Sequence, residues 1–84
     1  MAEKELVGTV IHVFNKINVG VVALKRGLRE GDRIWIESSE PFEQAVSSMQ
    51  VEHAQITEAK PGQEIGLKFN GAVHKNNKVY KLVG

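Results

Sequence analysis

The segment VSSMQVEHAQITEAKPGQEIGLKF, Val46 to Phe69, decides the fold because it joins a fixed turn to alternating apolar residues. Pro61 and Gly62 predict the turn, since proline presets φ and glycine accepts positive φ. Beyond the turn, every second residue is apolar, which is the period of a half-buried strand: Ile65, Leu67 and Phe69. Before the turn, the absence of an i, i+3, i+4 apolar stripe predicts extended chain rather than a helix.

The flanking sequence repeats this pattern of short strands and turns. The valine-rich runs Val7 to Phe14 and Val19 to Leu24 are separated by NKIN, whose asparagines tolerate positive φ, so we expect a hairpin there. Gly31 and Asp32 predict a tight turn, in which the Asp32 side chain bonds the backbone just after it. Asn76 and Asn77 lie between two apolar stretches and predict a closing hairpin.

Alternation also assigns the two faces of the strands, because successive side chains point to opposite sides of a sheet. The residues expected to be buried are Val46, Ile34, Ile36, Ile65 and Leu67. The residues expected to face outward are Arg33, Trp35, Glu37 and Lys68.

Length and strand spacing together predict the architecture. We expect the 84 residues to form one domain, 1–84, with a core of about 6–82. A small sheet removes its exposed edges best by closing on itself. We therefore expect an all-β fold, a small closed antiparallel β-barrel of six to seven strands.

Composition narrows the classes of function. With 11 Lys and Arg against 10 Asp and Glu, the net charge of +1 is far from that of a strongly basic nucleic-acid-binding protein. The chain has no cysteine, so it forms neither a disulfide nor a thiolate metal site. No run of 18 apolar residues and no signal-peptide pattern is present, which favours a cytoplasmic location without membrane contact.

A set of turn and strand residues recurs in a specific order along the chain: Gly27, Gly31, Asp32, Ile34, Ile36, Val46, Ser48, Met49, Gln50, Ala59, Gly62, Ile65, Gly66 and Leu67. This order resembles the second domain of the translation GTPases, the β-barrel that follows the G domain in elongation factor Tu and its relatives. It looks most like the stand-alone translation elongation factor-like proteins, and the resemblance extends from Leu6 through Leu82.

This resemblance implies a non-enzymatic binding module that contacts structured RNA or the translation machinery. The chain lacks the phosphate loop of a GTPase, and NKIN has Asn18 where the guanine-reading motif has aspartate, so we expect no nucleotide binding. Aligned with elongation factor Tu, Gln50 replaces the glutamate that contacts the terminal adenosine of tRNA. Glu64 replaces an asparagine near the aminoacyl group, and its negative charge disfavours retention of that pocket.

A cluster of positive charge, here called the basic turn, runs from Lys25 to Trp35. Its charges could neutralise phosphates while its tryptophan stacks on a base. The predicted RNA-binding residues are Lys25, Arg26, Arg29, Arg33, Trp35 and Gln50. Two alternatives remain: the basic turn is only a solvated loop, or the Trp35 face binds a protein and the chain is a protein–protein adaptor.

The sequence offers little for catalysis or metal binding. His12, His53 and His74 lie on separate strands or turns, whereas structural zinc needs four closely held ligands. Glu52 and His53 are adjacent and would point to opposite faces of a strand. The serines Ser47 and Ser48 lack a nucleophile-elbow motif. We therefore expect a monomer that is not an enzyme and has no metal or cofactor.

Overall fold

The computed structural model describes residues 3–52 and 54–83, and the secondary structure within them is entirely β. The ten strands found there are β1 (Glu3–Phe14), β2 (Val19–Leu24), β3 (Leu28–Arg29), β4 (Arg33–Glu37), β5 (Phe42–Ala45), β6 (Met49–Val51), β7 (Ala54–Ile56), β8 (Glu58–Ala59), β9 (Glu64–Lys68) and β10 (Lys78–Val83). The all-β prediction is confirmed. Among the described residues, no helix is long and apolar enough to cross a membrane.

Eight strands form one antiparallel sheet in the order β5-β4-β10-β1-β2-β9-β6-β7, and β3 pairs with β8 separately. The prediction of a closed barrel of six to seven strands is wrong, because this sheet is an open half-barrel that ends at β5 and β7. The reason lies in the short strands near the opening. With four residues in β5 and three in β7, few backbone groups are available to complete a ladder.

A side chain spans part of the opening instead. Gln44 on β5 is 3% exposed, and its amide donates to the carbonyl of Lys68 at 2.9 Å and accepts from the backbone N–H of Asn70 at 2.7 Å. Both bonds lie beyond Leu67, where the β6–β9 pairing ends. Because both functions of the buried amide are satisfied, Gln44 holds β5 against the end of β9 at little desolvation cost.

The half-barrel curls around one hydrophobic core. The five residues expected to be buried are at most 2% exposed, so the assignment of faces is confirmed. Arg33, Glu37 and Lys68 are exposed, as predicted, and Trp35 also faces outward but is half-buried. The core determines which face of β2, β9 and β6 remains available to solvent.

The turns have the backbone angles and hydrogen bonds that the sequence predicts, with one exception. Gly31 and Gly62 have φ of 94° and 89°, and Asn18 in NKIN has φ of 55°. The Asn18 side-chain amide donates to the carbonyl of Phe69 and, at 3.3 Å, to that of Gly71, so NKIN is a hairpin turn tied to a distant loop. Asp32 accepts from the N–H of Arg29, three residues before it, rather than from the backbone after it.

The predicted closing hairpin is wrong. Only its second half is a strand, β10, which pairs with β1 on one side and β4 on the other. With both edges of β10 occupied, a hairpin partner has no place beside it. The preceding loop bonds elsewhere: the N–H of Asn76 donates to the carbonyl of Val10 at 2.7 Å, and the N–H of Val10 donates to the carbonyl of Asn77 at 2.8 Å.

Candidate functional site

The arginines of the basic turn are each matched by a carboxylate of another segment. Arg29 Nε lies 2.9 Å from Glu58, and Arg33 Nε lies 2.7 Å from Glu43. The Arg29 pairing raises the pKa of its guanidinium, first through the hydrogen bond to Glu58 and then through the charge of that carboxylate. These pairs are exposed and therefore weak, but they place a negative charge beside each positive one.

The rest of the basic turn is divided between two surface depressions. Arg26 lies 3.9 Å from Glu5, and Lys25 lines the same depression as Arg26 and Pro61. Arg29 lines another depression with Glu58 and Lys60. The structure therefore gives the basic turn mixed charge, and RNA contact by these residues stays a prediction.

Trp35 is held by its neighbours on the outer face of β4. Lys4 Nζ lies 3.7 Å from the centroid of the Trp35 ring, and the Tyr80 ring centroid lies 5.8 Å away. The Tyr80 hydroxyl donates to Glu37 at 3.3 Å. Desolvation raises the pKa of Tyr80, and the charge of Glu37 and this hydrogen bond raise it further. One face of the indole is thus covered by an ammonium group.

Gln50 lies apart from the basic turn, in an open groove on the outer face of β2, β9 and β6. The groove has a volume of ≈ 460 Å³, within the range of about 300–1,000 Å³ typical of ligand sites. Its apolar lining residues are Phe14, Ile17, Val19 and Val21. Phe14 is 46% exposed and Ile17 is 61% exposed, and they are the exposed large hydrophobic residues of the described chain.

The floor of the groove is low because Gly66 has no side chain. Gly66 pairs with Val21 on β2 and with Gln50 on β6, so it is central to the three strands. A Cβ at Gly66 would lie 3.7 Å from the Gln50 carbonyl oxygen and 3.7 Å from Val19 Cγ1, which are ordinary contacts. The backbone therefore tolerates a methyl group here, and the glycine leaves space above it.

The two ends of the groove carry opposite charge. Glu52 and Glu64 lie at one end, and among the residues that the structure describes neither carboxylate forms an ion pair. The groove continues into a second depression of ≈ 230 Å³ that shares Ile17 with the first and is also lined by Lys68. Glu64 and Lys68 are the first and last residues of β9, and both are exposed.

The groove was not found from the sequence, although one signal was present. Ile17 is an apolar residue within the otherwise polar turn NKIN, where the hairpin alone requires no hydrophobic side chain. Phe14 packs edge-on against His12, with ring centroids 4.6 Å apart. The side chains of the groove come from separate segments, and only the register of the sheet brings them together.

Among the residues that the structure describes, the other candidates do not come together at a metal site. His12 and His74 are exposed, and His53 lies outside the described residues. In residues 3–52 and 54–83, no group of three His, Cys, Asp or Glu side chains could hold a metal ion. Ser47 and Ser48 lie in the irregular link between β5 and β6.

Comparison with known proteins points to peptidases. No family model matches the chain. An uncharacterized protease of Methanocaldococcus jannaschii is 33% identical over 78 residues, which cover 90% of this chain and 19% of the protease. The chain thus spans about a fifth of the length of this curated relative.

Solved structures of a domain from a protein named as a peptidase have the same fold. The C-terminal domain of a Geobacillus thermoleovorans protein named as a U32 peptidase superposes with a TM-score of 0.85 at 21% identity, covering 92% of this chain and 91% of that domain. Its selenomethionine variant gives a TM-score of 0.83 at 20% identity, covering 89% and 96%. At such identities, the likeness establishes the fold.

These findings overturn the assignment made from the sequence motifs. The resemblance to the second domain of elongation factor Tu is wrong, because the sequence and structural matches are to a protease and a U32 peptidase domain. The same matches contradict a translation-factor-like module that binds RNA and is not an enzyme, and they give no support to the alternative of an adaptor that uses the Trp35 face. The motif residues misled because they serve the fold: Gly31 and Gly62 need positive φ, and Ile34, Ile36 and Ile65 are fully buried.

Proposed function

We propose that this half-barrel serves a U32-type peptidase by holding segments of polypeptide in the groove around Ile17. The observation that carries the proposal is the groove itself, which is lined by Phe14 and Ile17, the exposed large hydrophobic residues of the described chain. The protease relative, identical at 33% over most of this chain, supports a role in peptide hydrolysis.

A groove of this form suits an unfolded polypeptide for physical reasons. Burial of an apolar substrate side chain against its walls stabilises the complex by about 25 cal/mol per Å² of buried apolar surface. The Gln50 amide is exposed beside those walls and can both donate to and accept from a peptide backbone. In this proposal the chain acts in the cytoplasm, as expected from its sequence.

A domain exchange tests the proposal. The segment of the Methanocaldococcus jannaschii protease that matches this chain is replaced by the chain itself, and hydrolysis of an unfolded polypeptide is measured before and after the exchange. We expect the chimera to retain hydrolysis, and Ile17→Ser in the chimera to raise KM because a groove wall is lost. Glu3→Gln, at the far end of β1, is the control and leaves KM unchanged. If the parent protease cleaves the polypeptide and the folded chimera does not, the proposal fails.

A further inference from the structure

The outward-facing residues of β9 are spaced like alternate residues of any extended chain. Glu64, Gly66 and Lys68 alternate with buried Ile65 and Leu67, so all three face the groove side of the sheet. The four residue-to-residue steps from Glu64 to Lys68 span about 13 Å at a rise of roughly 3.3 Å per residue. The order along this outer face is therefore a carboxylate, an open floor and an ammonium group.

We propose that the groove selects extended peptides with a basic, an apolar and an acidic side chain at positions i, i+2 and i+4. This inference rests on the proposed function and adds the class of peptide that is held. An extended peptide has the same rise as β9, so its alternate side chains meet Glu64, the space over Gly66 and Lys68 in turn. Because Glu64 precedes Lys68 along β9, a peptide whose basic residue comes first pairs opposite charges only when it runs parallel to β9.

Each contact of this arrangement has a distinct chemical basis. A lysine or arginine of the peptide meets Glu64, with Glu52 beside it, and neither carboxylate is paired with a cation of the described chain. A leucine-sized side chain lies over Gly66, against the apolar wall that includes Ile17 and Val19. An acidic side chain meets Lys68 at the other end. Opposite charges at the two ends disfavour peptides whose charges are all of one sign.

The test measures binding of three labelled, capped peptides, KSLSE, ESLSE and QSLSQ, to the 84-residue chain by fluorescence anisotropy. We expect KSLSE to bind about fivefold more tightly than QSLSQ, the size expected of two exposed ion pairs, and ESLSE to bind most weakly. Glu64→Gln should reduce the preference for KSLSE to about twofold, since one ion pair is lost. Glu3→Gln carries the same change of charge away from the groove and should leave the preference intact.

A second variant tests the location. Gly66→Ala places a methyl group on the floor of the groove, where it makes ordinary contacts, so the chain should remain folded. We expect all three peptides to bind several-fold more weakly to this variant. Unchanged binding to folded Gly66→Ala would overturn the inference.

The outcomes separate this inference from the proposed function. If the three peptides bind equally and Gly66→Ala weakens them all, polypeptide binding in the groove stands and the charge selection is wrong. If none of the peptides binds, and the exchanged protease also fails to cleave unfolded polypeptide, the proposed function and the inference both fall. A preference for KSLSE that persists in Glu64→Gln would also overturn the inference.

Discussion

The basic turn and the groove differ in how many of their side chains have a partner within the fold. In the basic turn, Arg26, Arg29 and Arg33 each face a carboxylate, and Lys4 covers the Trp35 ring. In the groove, Ile17 and Phe14 are exposed, and the described residues provide no cation for Glu64. The basic turn, which stands out in the sequence, thus has its arginines paired within the fold. The groove, whose exposed side chains remain available for binding, gives only a weak signal in the sequence.

The largest effect on stability is expected from a core residue beneath the groove, in comparison with a residue of the groove wall. Leu67 is fully buried beneath the groove face of β9, so Leu67→Ala should lower the free energy of unfolding by about 2–5 kcal/mol. Ile17→Ala, in the wall of the groove, should cost far less because that side chain is already in water. Urea unfolding monitored by Trp35 fluorescence measures both. A loss below about 1 kcal/mol for Leu67→Ala would mean that the face of β9 is inverted.

The next effect tests whether the tryptophan of the basic turn is structural. Trp35→Ala removes the contact with Lys4 and the tilted ring contact with Tyr80, and these two interactions together contribute roughly 1–2.5 kcal/mol. We expect a loss of stability of that size in urea unfolding followed by circular dichroism, since this variant has no tryptophan, with peptide binding to the groove unchanged. Phe14→Ala is the matched aromatic truncation and should show the reverse, a small loss of stability and weaker peptide binding. Equal losses of stability in both variants would remove the distinction between the two surfaces.

A smaller effect is expected from the charges of the basic turn. Arg33 and Glu43 are 59% and 43% exposed, so water screens their attraction. A double-mutant cycle with Arg33→Gln and Glu43→Gln should give a coupling energy of about 0.2–1 kcal/mol, decreasing as salt is added. A coupling above about 2 kcal/mol that is insensitive to salt would show that this pair is a structural element of the fold.

The sequence predicted the parts of the fold that depend on local chemistry. Positive φ at Gly31 and Gly62 and the burial of Ile34 and Leu67 follow from turn preferences and period-two alternation, which act over a few residues. Closure of the barrel was predicted wrongly, because the strands at the opening are short and the Gln44 amide, which bonds a carbonyl 24 residues away, spans part of that opening instead.

The candidate site was beyond sequence reasoning for a related reason. The groove is formed by β2, β9 and β6 together with the NKIN turn, and no single segment displays its pattern. The motifs that suggested a translation factor are residues that any protein with these turns and this core requires, so they identify an architecture rather than an activity. Gln50 alone among the predicted binding residues lies in the groove.

The smallest expected effect is a shift in the titration of Tyr80 beside Trp35. Desolvation is the first cause that raises the pKa of Tyr80 above its ordinary value of 10.0, and the charge of Glu37 and its hydrogen bond add to it. A raised pKa means that the fold favours the protonated phenol, so this contribution to stability is complete below pH 10.0 and is lost as the pH rises through the folded pKa. Because the chain has one tyrosine, phenolate absorbance against pH reports this group alone. Glu37→Gln should lower the Tyr80 pKa while leaving it above 10.0, since desolvation persists, and Glu3→Gln should leave it unchanged. A wild-type titration below pH 10.0 would contradict the packing of Lys4, Trp35 and Tyr80, and with it the view that this side of the molecule is internally satisfied.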